Sequence, residues 1–149
     1  MDGGLGTLLE KRGNDVSDEL WSARILLDDP DEVRDAHAAF FASGARVAIS
    51  GSYQVGYERL AREGLSATDV DSLLVRSVQL VAEARTAAGL DGSAWVAASV
   101  GPYGAVQADG SEYTGEYGVG VDELRAWHRR RLGVLAASGA DVLAAETIP

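Results

Sequence analysis

Three short apolar runs recur along the chain at intervals of about 50 residues, and they constrain the fold more than any other feature. They lie at residues 46–50, 94–100 and 141–145 and consist mainly of Val, Ile and Ala. None alternates strictly between apolar and polar residues, so each is typical of a strand that helices cover on both faces, as in a parallel sheet. The sequence therefore predicts an α/β fold.

Three amphipathic segments, at residues 31–43, 69–88 and 122–138, predict helices between these strands. Each is followed by a glycine, the residue favoured just past a helix end. Thr68 is the predicted N-cap of the second helix. The phrase ASGA ends the first and third helices, either as an internal repeat or because helix-to-strand turns favour the same residues. Because the predicted strands start about 50 residues apart, this chain holds only three or four βα units. A closed (β/α)8 barrel needs about 250 residues, so the chain is too short to close one alone.

Composition excludes several classes of function. With 13 Lys and Arg against 23 Asp and Glu, the net charge of -10 disfavours binding to nucleic acid or to an anionic membrane. The absence of cysteine excludes disulfides, a thiol nucleophile and thiolate metal sites within the chain. No apolar run approaches the ~20 residues of a membrane-spanning helix, and the first residues do not resemble a secretory signal, so we expect a cytoplasmic protein.

Polar clusters follow the predicted strands, where ligands bind in parallel α/β folds. Asp2 near the start of the chain and Glu146 after the last strand would face the same opening, which suits an ammonium group of a ligand. The alternatives are that Asp2 caps the first helix and that Glu146 is a solvated strand end.

Other conspicuous residues suggest structural roles. The glycines at residues 2–6 lack the preceding strand and the spacing of a dinucleotide-binding loop. The basic run at residues 129–131 is expected to be a solvated helix face near a helix C-terminus. His37 and His128 fall within predicted helices, where packing or surface roles are favoured over metal ligation.

Six motifs, in this order, resemble the N-terminal half of a homocysteine S-methyltransferase, most closely the enzymes that use S-methylmethionine as donor. They are DGGLGTLLE (2–10), LWSA (20–23), SYQ (52–54), SVGPYGA (99–105), ADGSEY (108–113) and ETIP (146–149). The resemblance spans essentially all 149 residues and implies about half of a zinc-dependent (β/α)8 TIM barrel, a partial homocysteine-binding domain at 1–149. It also implies that the complete protein transfers a methyl group to the thiol of homocysteine, giving methionine.

Four residues match functional positions of the family. Asp2 and Glu146 match carboxylates that hold the amino group of homocysteine, which agrees with their positions after the predicted strands. Trp21 matches an aromatic position near the methyl donor, where a ring face would attract a sulfonium cation, and Tyr53 matches a tyrosine lining the same pocket. Packing roles remain open for both aromatic residues.

The family binds zinc through three cysteines of its C-terminal half, and zinc makes the thiolate form of homocysteine available as the nucleophile. This chain has no cysteine, so we expect it to bind substrate without being active alone. The alternatives are a non-enzymatic half-barrel that self-associates or docks with a C-terminal half, and a different α/β-barrel enzyme that needs no metal.

Overall fold

The computed structural model describes residues 1–15 and 22–149. Its sheet has three parallel strands in the order β1-β2-β3. The strands are β1 (Val47–Ile49), β2 (Trp95–Val100) and β3 (Val142–Ala145). Each strand lies within one of the predicted apolar runs, so the predicted parallel α/β arrangement is confirmed.

The register of the strands brings their carboxyl ends to one edge of the sheet. Val47 in β1 lies opposite Trp95 in β2, and Ala97 in β2 lies opposite Val142 in β3. The segments that follow the three strands therefore meet on the same side of the molecule, as expected for parallel strands.

Seven α-helices and one short 3-10 helix connect or flank these strands in the described residues. They are α1 (Leu5–Lys11), α2 (Ser22–Asp28), α3 (Pro30–Ala42), α4 (Tyr57–Arg62), α5 (Ala67–Ala87), α6 (Tyr103–Gln107), the 3-10 helix (Ser111–Tyr113) and α7 (Val121–Ala136). The helices α3, α5 and α7 correspond to the three predicted helices, with ends that differ by one or two residues.

The predicted N-cap of α5 is wrong. Ser66 is the cap: its hydroxyl accepts a hydrogen bond from the backbone N–H of Asp69 at 3.2 Å, and the Asp69 carboxylate accepts one from the Ser66 N–H at 2.8 Å. This reciprocal capping box satisfies two N–H groups. Asp71, which would have to complete a box with Thr68, instead accepts hydrogen bonds from Tyr57 and Arg130.

The core lies between the helices and the sheet, and it covers the strands unequally. In β2 the side chains from Val96 to Val100 are all buried, as a strand covered on both faces requires. In β3, Val142 is 40% exposed and Leu143 is 44% exposed. The expectation of two covered faces therefore fails for β3, which is an edge strand of the sheet in the described residues.

Among residues 1–15 and 22–149, no helix combines the length and the apolar character that crossing a membrane would require.

Candidate functional site

A cavity of about 440 Å³ opens at the carboxyl edge of the sheet. Asp2, Tyr53 and Glu146 all line it, so the structure brings together three of the four residues singled out in the sequence. The fourth, Trp21, lies outside the described residues. The buried serines after β1 and near the end of β2 form hydrogen bonds with one another at this edge.

Asp2 is fixed against the outer edge of β1, the edge that faces away from β2. Its backbone N–H donates to the Val47 carbonyl at 2.9 Å, and its carboxylate accepts a hydrogen bond from the Ile49 N–H at 2.7 Å. It does not cap α1, whose N-cap is Gly4 without any side-chain cap. Burial raises the pKa of Asp2, against the opposing effects of the Ile49 N–H and its own backbone, and the nearby charge of Glu146 raises it further.

Glu146 follows β3 directly and is half-buried. Its carboxylate accepts a short hydrogen bond from the Ser99 hydroxyl of β2, and its backbone N–H donates to the Val100 carbonyl at 3.3 Å. The solvated strand end considered from the sequence is therefore not what the structure contains. Asp2 and Glu146 face one cavity, and each is held by a donor from a neighbouring strand.

A buried serine network, which the sequence analysis missed, stiffens the ends of β1 and β2. The Ser50 and Ser52 hydroxyls lie 2.8 Å apart, Ser52 donates to the Ser99 carbonyl at 2.9 Å, and the Ser99 N–H donates to the Ser50 hydroxyl at 3.0 Å. Because every hydroxyl of the network has a partner, these polar groups are buried without the cost of an unmade hydrogen bond.

Tyr53 forms one wall of the cavity. Burial raises the pKa of the Tyr53 hydroxyl, and the nearby Thr147 side chain partly opposes that rise. Thr147 has a φ of +52°, which is unusual for a β-branched residue and places strain next to the cavity. Tyr53 also lies against Gly101, where a Cβ atom would come within 2.6 Å of the Tyr53 carbonyl oxygen and 2.7 Å of its ring.

Arg131 corrects the expectation of a solvated basic face at residues 129–131. Its guanidinium is buried and donates to the carbonyls of Ser52, Tyr53 and Gly101, which lie in the loops after β1 and β2. Arg130 does lie at the surface, where it pairs with Asp71 at 2.7 Å. The signal was present in the sequence, because Arg131 lies four residues from both Trp127 and Leu135, two apolar positions of the amphipathic segment at 122–138.

The cavity wall is strongly acidic. Besides Asp2 and Glu146, Glu10 and Glu112 line it, and no Lys, Arg or His does so among the described residues. Two fixed carboxylates in such a wall favour a ligand with a cationic group, for which an ammonium supplies hydrogen-bond donors and charge. The described residues also contain no group of three His, Cys, Asp or Glu placed to hold a metal ion.

Comparisons with known proteins agree with this geometry. The sequence profile of the homocysteine S-methyltransferase family matches residues 1–149. The chain is 45% identical to homocysteine S-methyltransferase YbgG of Bacillus subtilis and 42% identical to the homocysteine S-methyltransferase of Escherichia coli, over 100% of its own length and 50% and 49% of theirs. It therefore spans about half the length of the curated relatives it matches.

Its fold is similar to that of the metallated homocysteine methyltransferase MmuM from Escherichia coli, with a TM-score of 0.92 and 43% sequence identity. That superposition covers 100% of this chain and 53% of the solved one.

Proposed function

The chain belongs to the homocysteine S-methyltransferase family, and we propose that it supplies the homocysteine-binding half of such an enzyme. The complete enzyme would transfer a methyl group from S-methylmethionine or a similar donor to the thiol of homocysteine, producing methionine in the cytoplasm. The observation that carries the proposal is the pair of carboxylates, Asp2 and Glu146, at one cavity at the carboxyl edge of the parallel sheet.

In this proposal, Asp2 and Glu146 receive the ammonium group of homocysteine. Each carboxylate has one oxygen engaged by a strand, Asp2 by the Ile49 N–H and Glu146 by the Ser99 hydroxyl, which leaves the other oxygen for the ligand. The hydrogen bonds fix the direction of both groups before the ligand arrives, so little conformational entropy is lost on binding. Tyr53 forms the adjacent wall, and Trp21 is assigned to the methyl donor from family resemblance alone.

The family resemblance implies a zinc ion that activates the thiol, and the residues present do not fit one. The sequence contains no cysteine, and the described residues contain no cluster of three possible metal ligands. We therefore derive no chemical step through zinc.

The carboxylates of the cavity would themselves oppose formation of a thiolate, since neighbouring negative charge raises the pKa of a thiol. Asp2, Glu10, Glu112 and Glu146 contribute such charge, and no cationic side chain of the described lining offsets it. We propose that this chain binds and orients homocysteine and that its thiol reacts only when further polypeptide supplies an activating group.

Calorimetric titration of the chain with L-homocysteine tests the binding role. Glu146→Gln removes the charge but keeps the shape, and we expect it to raise the Kd about tenfold. Glu116→Gln removes the same charge from an exposed loop and is expected to leave the Kd unchanged. N-acetyl-homocysteine, which has no ammonium group, should not bind; equal affinity for both ligands, or for unrelated amino acids, would contradict the proposal.

A methyl-transfer assay with homocysteine and S-methylmethionine, run beside metal analysis of the purified chain, tests the second part. We expect no turnover and no stoichiometric zinc. Turnover by the chain alone together with bound zinc would show that an activating site exists within these residues.

The second candidate function is a non-enzymatic assembly role, and the exposure of β3 favours it. Val142 and Leu143 lie on an unpaired strand edge in the described structure, and such edges promote association with another chain. A second copy or a separately encoded C-terminal half would cover them.

Sedimentation velocity across a range of concentrations separates this candidate from a monomeric substrate-binding half. Self-association that Leu143→Lys abolishes would support the assembly role, whereas Val121→Lys places the same charge on the exposed start of α7 and serves as the control. A monomer at all concentrations, with homocysteine bound, would favour the first function.

A further inference from the structure

Burial of the charged Arg131 side chain has a large desolvation cost. This side chain is only 1% exposed, and no carboxylate forms an ion pair with it in the described structure. Burial lowers its pKa to about 10, and its Nε atom has no hydrogen-bond partner among the described residues. This buried guanidinium meets neutral carbonyls and the Trp127 ring, whose centroid lies 5.8 Å away, and it carries a desolvation cost that a Leu or Met at the same position in α7 would avoid.

The contacts of Arg131 explain why a charge is placed there. Its Nη1 donates to the Gly101 carbonyl at 2.8 Å, in the loop after β2. Its Nη2 donates to the Tyr53 carbonyl at 2.9 Å and also to the Ser52 carbonyl, in the loop after β1. The planar fork of a guanidinium can engage several acceptors in fixed directions, which the single ammonium of lysine cannot do.

Both loops determine the position of Tyr53, which belongs to the loop after β1 and packs against the loop after β2. The Tyr53 carbonyl and ring lie against Gly101, so close that a Cβ atom at position 101 would collide with them. Tyr53 also lines the cavity together with Glu146 and Thr147, which follow β3. Arg131 thus connects α7 to two loops, and Tyr53 extends that connection to the cavity.

We propose that Arg131 is a positioning residue of the cavity, which holds the loops after β1 and β2 together so that the Tyr53 ring forms a fixed wall beside the ammonium site. It does not touch the ligand. Its contribution to affinity passes through Tyr53, and this part rests on the proposed homocysteine-binding function.

Hydrogen exchange measured by mass spectrometry on the 149-residue chain tests the clamp without any ligand. We expect Arg131→Lys to speed exchange about tenfold in residues 50–55 and 101–104, while α3 and α5 keep the protection of the wild type. Arg130→Met, which removes the neighbouring surface arginine and its ion pair with Asp71, should leave both loops unchanged.

Homocysteine titration of the same variants supplies the second readout. Arg131→Lys should weaken binding about tenfold, and Tyr53→Ala should weaken it by a similar factor. Because both changes remove the same wall, the double variant should be little weaker than either single variant, a non-additivity that an unrelated structural role would not produce.

Each outcome decides one question. Unchanged loop exchange in Arg131→Lys, a uniform rise that includes α3 and α5, or additive losses of affinity would overturn the positioning role. Failure of Arg131→Lys to fold, judged by circular dichroism, would also overturn it, because Arg131 would then be required for the fold as a whole. A wild-type chain that does not bind homocysteine would contradict the proposed function, while the exchange result would still decide whether Arg131 clamps the loops.

Discussion

At Asp2, folding stability favours a neutral carboxyl group, whereas the proposed ligand-binding role needs a charged one. Burial raises the pKa of this carboxyl above its ordinary value, so the folded chain holds the Asp2 proton more tightly than the unfolded chain does. The stability that this group contributes is therefore present below the ordinary pKa and is lost as the pH rises through the raised value. At neutral pH the ionised carboxylate is a cost to folding that the proposed ligand-binding role would explain.

We predict that Asp2→Asn raises the urea midpoint at pH 7 and weakens homocysteine binding about tenfold. The amide oxygen still accepts the hydrogen bond from the Ile49 N–H, so only the charge is removed. Glu116→Gln, which removes one charge from an exposed loop, is the control for net charge. A lower urea midpoint in Asp2→Asn, or unchanged affinity, would contradict the prediction.

Sequence reasoning located Asp2, Tyr53 and Glu146 because strand ends of a parallel sheet meet and because their motifs are distinctive. It missed the support behind them. A serine such as Ser99 looks the same in a sequence whether it donates to a carboxylate or to water, and only the register of β2 and β3 aligns it with Glu146.

At the scale of single helices, periodicity was sufficient to find α3, α5 and α7 but not to place their ends or to interpret every charged residue. Arg131 was assigned to a solvated run because three consecutive arginines resemble a charged face. The 3.6-residue period instead places it on the buried side of α7, with Leu135 one turn further along. For Arg131, helical periodicity predicts burial and charge predicts exposure, and the periodicity gave the correct result.

The cap of α5 gives a prediction at the same scale. We expect Ser66→Ala to lower the free energy of unfolding by about 1 kcal/mol, because it removes the acceptor for the Asp69 N–H and breaks the capping box. Thr68→Ala, two residues inside the boundary, should cost less, since Thr68 makes no cap. Urea denaturation of both variants checks this, and equal losses, or a larger loss at Thr68, would restore Thr68 as the functional cap.

For the molecule as a whole, the sequence predicted a parallel sheet of the correct strands but not how unevenly it would be covered. Apolar character alone assigned two buried faces to every strand, and β2 has them. The run that forms β3 is equally apolar, yet Val142 and Leu143 are exposed, because burial depends on neighbours that composition does not describe.

His37 is a titratable group in the core, so its protonation affects the stability of the whole molecule. It is completely buried in α3, the helix that packs against α5, and neither ring nitrogen has a hydrogen-bond partner among the described residues. Burial lowers its pKa from the ordinary 6.5 to about 4, so the folded chain binds the His37 proton more weakly than the unfolded chain does. Stability from this group is therefore complete above pH 6.5 and is lost as the pH falls from there towards about 4.

Because one pKa unit corresponds to about 1.4 kcal/mol, we expect neutral His37 to account for about 2–3 kcal/mol of the stability lost between pH 7 and pH 4.5. We predict that His37→Leu, which fills a similar volume with an apolar side chain, reduces that loss by the same amount in urea denaturation at the two pH values. His128→Leu is the matched control, because His128 is only half-buried and should change the pH dependence less. If wild type and His37→Leu lost the same stability on acidification, the acid sensitivity would belong to the carboxylates, and the buried imidazole would have no part in it.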